Sequence, residues 1–314
     1  MNHHIARTLF LIAFFLFIVY IILTVMGNHQ YAGWLLVSVL ITVAVALRAY
    51  PLLKGYSYPT IIFAAVSMAM YFPHHFITVG DFDLKYLITP LLQIIMFGMG
   101  TSLSWRDFAR VIKMPKGVIA GIICQFTIMP FVGWTIASIF AFPTEIAAGV
   151  ILIGSCPSGL ASNVMSYLAR ANLALSITLT AVATLLAPLL TPFFMKLLAG
   201  EFIETNYLVM MWDITKVVIL PIGAGLIFHH FFQSKFKVLD TVMPLFSMGG
   251  IALILVIIIS RGRDNLIEVG LLLVLAVFIH NMLGYVLGYW ASRLIGMNEQ
   301  DCRTIALEVG MQNG

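Results

Sequence analysis

Apolar residues in this chain come in long runs, not in the two-residue alternation of strands or the narrow stripes of soluble helices. The runs cover about 8–26, 31–50, 58–73, 84–103, 116–140, 145–168, 171–199, 207–232, 241–260 and 266–295, and another begins near Cys302. Each is close to the roughly 20 residues that a helix needs to cross a bilayer. Open strands would leave backbone groups unpaired in lipid, so the pattern predicts helices: ten complete spans and the start of one more. The first run, from Thr8 to Met26, is too long for a signal-peptide core and has no small-residue cleavage point, so it is read as a helix that stays. No linker or low-complexity stretch separates a second domain. The last run stops at Gly314 within Glu308-Val-Gly-Met-Gln-Asn-Gly314, which leads us to expect a fragment or an incomplete gene model.

Composition fixes the solvent. Of 314 residues, 61% are apolar and 10% charged, with a mean hydropathy of +1.03. A soluble domain is about 45–50% apolar and about 25% charged. The bilayer is therefore the expected partner of most of the surface, and disordered, collagenous and disulfide-scaffold classes are excluded. The net charge of +4 is spread too thinly for a nucleic-acid stripe and reads as a topology signal. With the N-terminus inside, the inner segments hold Arg7, Arg48, Lys54, Arg106, Arg110, Lys113, Lys116, Arg170, Lys235, Lys237, Arg293 and Arg303. The outer loops hold only Lys85, Lys196, Arg261 and Arg263. That asymmetry predicts a cytoplasmic N-terminus. Cys124, Cys156 and Cys302 form neither a CxxC pair nor a secreted framework, and read as free thiols.

Polar groups inside spans are costly, so their positions point to function. Most acidic residues sit at span ends or in loops, but Glu308 lies seven residues past Asp301, roughly 10 Å along a helix. A carboxylate at that depth must be protonated or hold a cation. With Gln312, Asn313 and a glycine nearby, an oxygen-liganded hard cation is the favoured reading; the bland one is a solvated helix end. The second constellation is residues 151–180, where Pro157, Ser158 and Gly159 interrupt a span. Ser162 and Asn163 follow the break, and Ser176 and Thr180 share a helix face at i, i+4 spacing. Together these donors suit a monovalent cation such as Na⁺, although hydroxyls bonded back to their own helix would give the same pattern. PSGLASN and EVGMQNG stand five spans apart, as expected of an inverted repeat with its sites at broken helices. Gln125 and the His280-Asn281 pair occupy corresponding helices; a lone buried His or Gln is more often a packing group. Ser158 or Ser162 with His280 could be imagined as nucleophile and base, but no GxSxG elbow, GxSG or HExxH accompanies them. A membrane sensor or structural subunit would need long loops or a signalling domain.

The segments MFGMG (96–100), SCPSGLASNVMSYLARAN (155–172), LLAPLLTP (185–192), HNMLGY (280–285) and EVGMQN (308–313) resemble the bile acid:sodium symporter family, over about Tyr58 to Gly314. The resemblance implies an all-α polytopic membrane protein built of two inverted five-helix repeats, with panel and core domains and two crossing discontinuous helices. It implies two Na⁺ sites. One would be formed by Ser162, Asn163, Ser176, Thr180 and Glu308, the other by Gln125, Glu308, Gln312 and the carbonyls of Val309 and Met311. Asn313, Gly159, Leu160 and Gly314 would lie beside a small organic anion, drawn by the positive ends of the half-helices.

Residues 1–57 would be two extra N-terminal helices, and 58–314 a symporter-like domain lacking its tenth helix and the end of its ninth. As it stands the chain is then expected not to transport. Leu160 replaces a small hydroxyl residue found in bacterial relatives. The expected activity is sodium-coupled symport of pantoate, a 2-oxo acid or a bile-acid-like carboxylate by alternating access, in a cell inner membrane. A proton-coupled or uncoupled carrier or exporter is the alternative.

Overall fold

The computed structural model describes residues 3–200, 202–232 and 237–313. Its helices are α1 (His3–Val25), α2 (His29–Leu47), α3 (Ser57–Tyr71), α4 (Ile88–Ser102), α5 (Trp105–Ala109), α6 (Pro115–Phe140) and α7 (Thr144–Ser155). They continue as α8 (Leu160–Leu168), α9 (Leu173–Phe194), α10 (Tyr207–Ile214), α11 (Leu220–Phe232), α12 (Lys237–Arg261), α13 (Arg263–Leu294) and α14 (Glu299–Gly310). The strands among the described residues form one short antiparallel ribbon, Thr78–Val79 with Phe82–Asp83. Widened turns at Met195–Ala199 and Thr215–Ile219 prolong α9 and join α10 to α11 without interrupting either span.

Seven helical stretches among the described residues are long and apolar enough to cross a bilayer, fewer than the ten apolar runs. The three others differ for local reasons. α3 is only 15 residues long. The run at 145–168 is divided at Pro157 into α7 and α8. In α12 the described apolar stretch is Leu245–Arg261.

The chain forms two compact units. One comprises Met1–Ile95 and Thr241–Glu268. Within it α1 packs on α2 and α2 on α3. Ser57 Oγ donates to the Ala44 carbonyl (2.8 Å) and accepts from Arg48 Nε (3.1 Å), fixing the turn between α2 and α3. Arg263 Nε reaches the Met70 carbonyl at 2.7 Å, and Arg261 pairs with Asp83. The Lys85 amide and the Arg261 guanidinium hold the Asp83 carboxyl below the usual carboxylate range.

The other unit comprises Met96–Asp240 and Val269–Gly314. Here α6 and α7 form a hairpin, and α9 and α14 pack against α6. Small residues allow the close approach that packing in lipid requires: Gly117 and Gly121 of α6 face Leu175 and Leu179 of α9. Cys302, Ile305 and Val309, spaced along one side of α14, join Val118, Cys124, Leu175 and Leu179 in a buried apolar cluster. The loop leading into α6 is fixed by a capping box. Asp107 accepts from the Ser104 amide (2.8 Å) and hydroxyl (2.9 Å) and pairs with Arg110. Asp107→Ala is expected to destabilise this unit by about 1 kcal/mol. The change should appear as a modest fall in Tm, equal in Na⁺ and in K⁺, because the Asp107 side chain binds Ser104 and Arg110 and not the oxygens around Glu308.

Candidate functional site

α7 ends at Ser155 because Pro157 has no N–H to continue the ladder, and α8 begins after Gly159, whose backbone is extended. α14 likewise gives way to extended backbone at Met311. These two interruptions meet. Ser158 and Gln312 form an antiparallel bridge, the Gly159 N–H reaches the Met311 carbonyl at 3.3 Å, and the Asn313 N–H reaches the Pro157 carbonyl at 2.8 Å. Irregular backbone survives in a membrane only when its polar groups are satisfied. Here side chains complete the set. Thr191 donates to the Ser155 carbonyl (2.7 Å), Gln125 Nε2 to that of Cys156 (2.9 Å) and Ser162 Oγ to that of Gly159 (2.7 Å). On the other stretch, Gln312 Nε2 donates to the Val309 carbonyl (2.7 Å) and Asn281 Nδ2 to that of Gly310 (2.5 Å).

Glu308 stands against this crossing, 2% exposed. Its carboxylate accepts from Ser158, from Ser162 at 2.6 Å, from Ser176 at 2.5 Å and from Thr180 at 3.0 Å. Asn163 Oδ1 lies 2.8 Å from Ser176 Oγ and 3.3 Å from Thr180 Oγ1. Each hydroxyl has a single hydrogen. Yet Ser162 has both the Gly159 carbonyl and Glu308 within reach, Ser176 has both Asn163 and Glu308, and Thr180 has Asn163 and both carboxylate oxygens. Oxygens therefore outnumber the hydrogens that could bridge them. Such a cage of oxygens around one buried carboxyl is suited to a hard monovalent cation. A site for a transition metal would need other donors, and no group of three or more His, Cys, Asp or Glu is found among the described residues.

The cage is held in register from one end. Asn172 caps α9 by accepting from the Leu175 amide at 3.1 Å, and its Nδ2 donates to Asp301 at 2.8 Å. Its backbone N–H meets Thr304 Oγ1 at 2.9 Å. These contacts fix the start of α14 against the start of α9, so Glu308, two turns along α14, falls opposite Ser176 and Thr180.

Gln125 lies on the far side of the crossing, buried in α6. Its Nε2 donates to Gln312 Oε1 at 2.7 Å, while its own Oε1 is buried with no partner among the described residues. Gln125 and Gln312 are thus adjacent, and an unmatched acceptor sits beside them. The Val309 and Met311 carbonyls already accept from Gln312 and Gly159, so each has one lone pair left to offer. Gly159 and Asn313 are in contact: a Cβ placed on Gly159 would lie 3.3 Å from Asn313 Cβ. Leu160 opens α8, but its side chain and Gly314 lie outside the described residues. His280 Nε2 is 3.2 Å from the Met129 carbonyl, which assigns the hydrogen to that nitrogen and gives the ring a packing role. The hydroxyls of Ser158 and Ser162 go to Glu308, not to His280. Sequence reasoning had Ser158 as part of the break and as an imagined nucleophile, had Asn172 only as the last residue of a family-like segment, and had Thr304 not at all; the Asn immediately before an apolar helix was the available signal for a cap.

Residues 89–269 match the model of the Sodium Bile acid symporter family. The chain is 42% identical over 253 residues to YocS of Bacillus subtilis, described as an uncharacterized sodium-dependent transporter, with 81% of this chain and 77% of that one aligned. It is 36% identical over 222 residues to the chloroplastic BASS1 of Arabidopsis thaliana, a probable sodium/metabolite cotransporter, covering 71% of this chain and 55% of the plant protein. With the ileal sodium/bile acid cotransporter of Oryctolagus cuniculus, identity is 32% over 238 residues, 73% of this chain and 67% of that one. The family match, these relatives and the many apolar helices agree. The chain is a multi-span helical membrane protein and belongs to the sodium bile acid symporter family.

Proposed function

We propose that the protein couples Na⁺ entry to the movement of a small organic anion by alternating access. The observation that carries this reading is the Glu308 cage, a hydrogen-poor cluster of oxygens at the meeting of two interrupted helices. In the proposal one Na⁺ is held by Ser162, Asn163, Ser176, Thr180 and Glu308, with Ser158 as a further oxygen. A second is held between Gln125, Gln312, Glu308 and the Val309 and Met311 carbonyls; the unpartnered Gln125 Oε1 supports it. The anion docks beside Gly159 and Asn313, where the first amides of α8 point out of an uncapped helix end and carry partial positive charge. That chemistry suits a carboxylate such as pantoate, a 2-oxo acid or a bile-acid-like acid. The relatives' names, with sodium in each and metabolite or bile acid in two, support the same class. Coupling arises because Na⁺ and anion both stabilise the ordered crossing, so each raises the affinity for the other. Two inverted repeats, a cytoplasmic N-terminus, an inner-membrane location and a peripheral place for residues 1–57 complete the proposal.

The test is the thermal unfolding of the purified full-length protein in Na⁺ and in K⁺ at equal ionic strength. Na⁺ at about 100 times its Kd stabilises a folded state by about 2.7 kcal/mol, so a rise in Tm specific to Na⁺ is expected. Uptake of radiolabelled carboxylates into proteoliposomes under a Na⁺ gradient then identifies the anion. Equal Tm in both salts would overturn the sodium reading and favour a proton-coupled carrier.

A further inference from the structure

Hydroxyls on these helices mostly bond back to the carbonyl four residues earlier, as Thr127 does to Ile123, Thr135 to Phe131, Thr178 to Ala174 and Thr184 to Thr180. That is the ordinary way to satisfy a hydroxyl in lipid. Ser166 does otherwise. It is fully buried, and its Oγ has no partner among the described residues.

Ser166 lies one turn beyond Ser162 on the same face of α8, so it extends the polar face that meets Glu308. Two more polar stripes run alongside, because α8 packs on both α9 and α14. On α9 the stripe is Asn172, Ser176 and Thr180; on α14 it is Asp301, Thr304 and Glu308. The apolar side of α14, with Cys302, Ile305 and Val309, faces away from this seam into the cluster against α6. Ser166, Ser176, Thr180 and Thr304 are all fully buried. The seam continues from the cage for roughly 10 Å, two helical turns, to the Asn172–Asp301 hydrogen bond. Beyond that bond Asp301 lines a cavity of about 400 Å³ together with Asn298, Lys113 and Lys116. Asp301 is the acidic residue of that lining, and it stands where the seam ends.

We propose that this seam is the path by which the coupling cation passes between the Glu308 cage and the face of the protein that carries Asn298. Ser166 and Thr304 act as intermediate oxygen ligands, and the Asn172–Asp301 hydrogen bond closes the path. A cation stripped of water needs a fresh oxygen every few ångströms. Ser166 supplies one that no hydrogen bond has claimed. The proposal rests on the sodium reading of the cage.

Cysteine accessibility tests it. In a background with Cys124, Cys156 and Cys302 replaced by alanine, Ser166→Cys, Thr304→Cys and the control Thr178→Cys are reconstituted in proteoliposomes. A cationic, membrane-impermeant methanethiosulfonate is added to either side, in Na⁺ or in K⁺. Thr178 is equally buried and sits on α9 away from the seam, bonded to Ala174. We expect cysteines at 166 and 304 to react at least ten-fold faster than at 178, only from the Asn298 face, and more slowly in Na⁺. Ser166→Cys is nearly isosteric, so it remains informative if Thr304→Cys loses the Asn172 contact and unfolds. Reaction at 166 no faster than at 178, or from the opposite face, in a parent that keeps its Na⁺-specific Tm rise, overturns the path alone. A parent without that rise overturns the sodium reading and the path with it.

Discussion

Glu308→Gln is expected to abolish the stabilisation by Na⁺ while leaving the protein at least as stable as its parent in K⁺. The substitution keeps the length and branching of the side chain, so the packing of α14 between α6, α8 and α9 should persist. What disappears is the formal charge in a cage that otherwise offers neutral oxygens from Ser158, Ser162, Ser176, Thr180 and Asn163. The new amide also donates two hydrogens into a cluster that has too few, which satisfies the surplus oxygens and removes the demand for a cation. A buried charge that has lost its counter-ion is destabilising, so its removal in K⁺ should be neutral or favourable. In Na⁺ the variant should lose the whole ligand contribution, about 2.7 kcal/mol at 100 times Kd, and Na⁺-driven uptake should fall to background. The measurement is a pair of unfolding curves for each protein. A variant that is weakened equally in both salts would show Glu308 to be a structural acceptor and nothing more.

The parts of this site that could be read along the chain are those whose geometry is local. Ser176 and Thr180 share a face because an α-helix brings i and i+4 together, and Glu308 stands out because an acid within an apolar run is costly. The interruption at Pro157 follows from a missing N–H. The contacts that join these pieces are not local. Ser158 meets Glu308 because two extended stretches pair antiparallel, and the partners are 150 residues apart in sequence. Asn172, Asp301 and Thr304 look like ordinary span-end residues until α9 and α14 are seen to start side by side. Span lengths are less legible for the same kind of reason. Hydropathy averages over a window, so it reads 145–168 as one apolar run even though its two halves, α7 and α8, are separated by the four extended residues that make the site.

Gly154→Ala is expected to disable the site from outside it. Gly154 lies in the last turn of α7, where a Cβ would run into the Met129 carbonyl oxygen of α6, with the carbonyl carbon at 2.9 Å and His280 Nε2 at 3.1 Å. Those neighbours are backbone and a ring hydrogen-bonded to that same carbonyl, so none can swing aside as a flexible side chain would. The end of α7 must move off α6. It carries with it Ser155 and Cys156, whose carbonyls are held by Thr191 and by Gln125, and then Ser158, which donates to Glu308. Overpacking of this kind costs about 1–3 kcal/mol and sometimes more. The larger effect should be on ion binding, with the Na⁺ concentration for half-maximal stabilisation raised at least ten-fold. Gly149 provides the control in the same helix, since a Cβ there would meet nothing within 4 Å. Gly149→Ala should be neutral or stabilise by about 0.5–1 kcal/mol through helix propensity, with the Na⁺ response unchanged. Tm in K⁺ and the Na⁺ midpoint, measured for both variants, separate packing from binding. If the two alanines behaved alike, contact between α6 and α7 could not be what aligns the interrupted helix with Glu308.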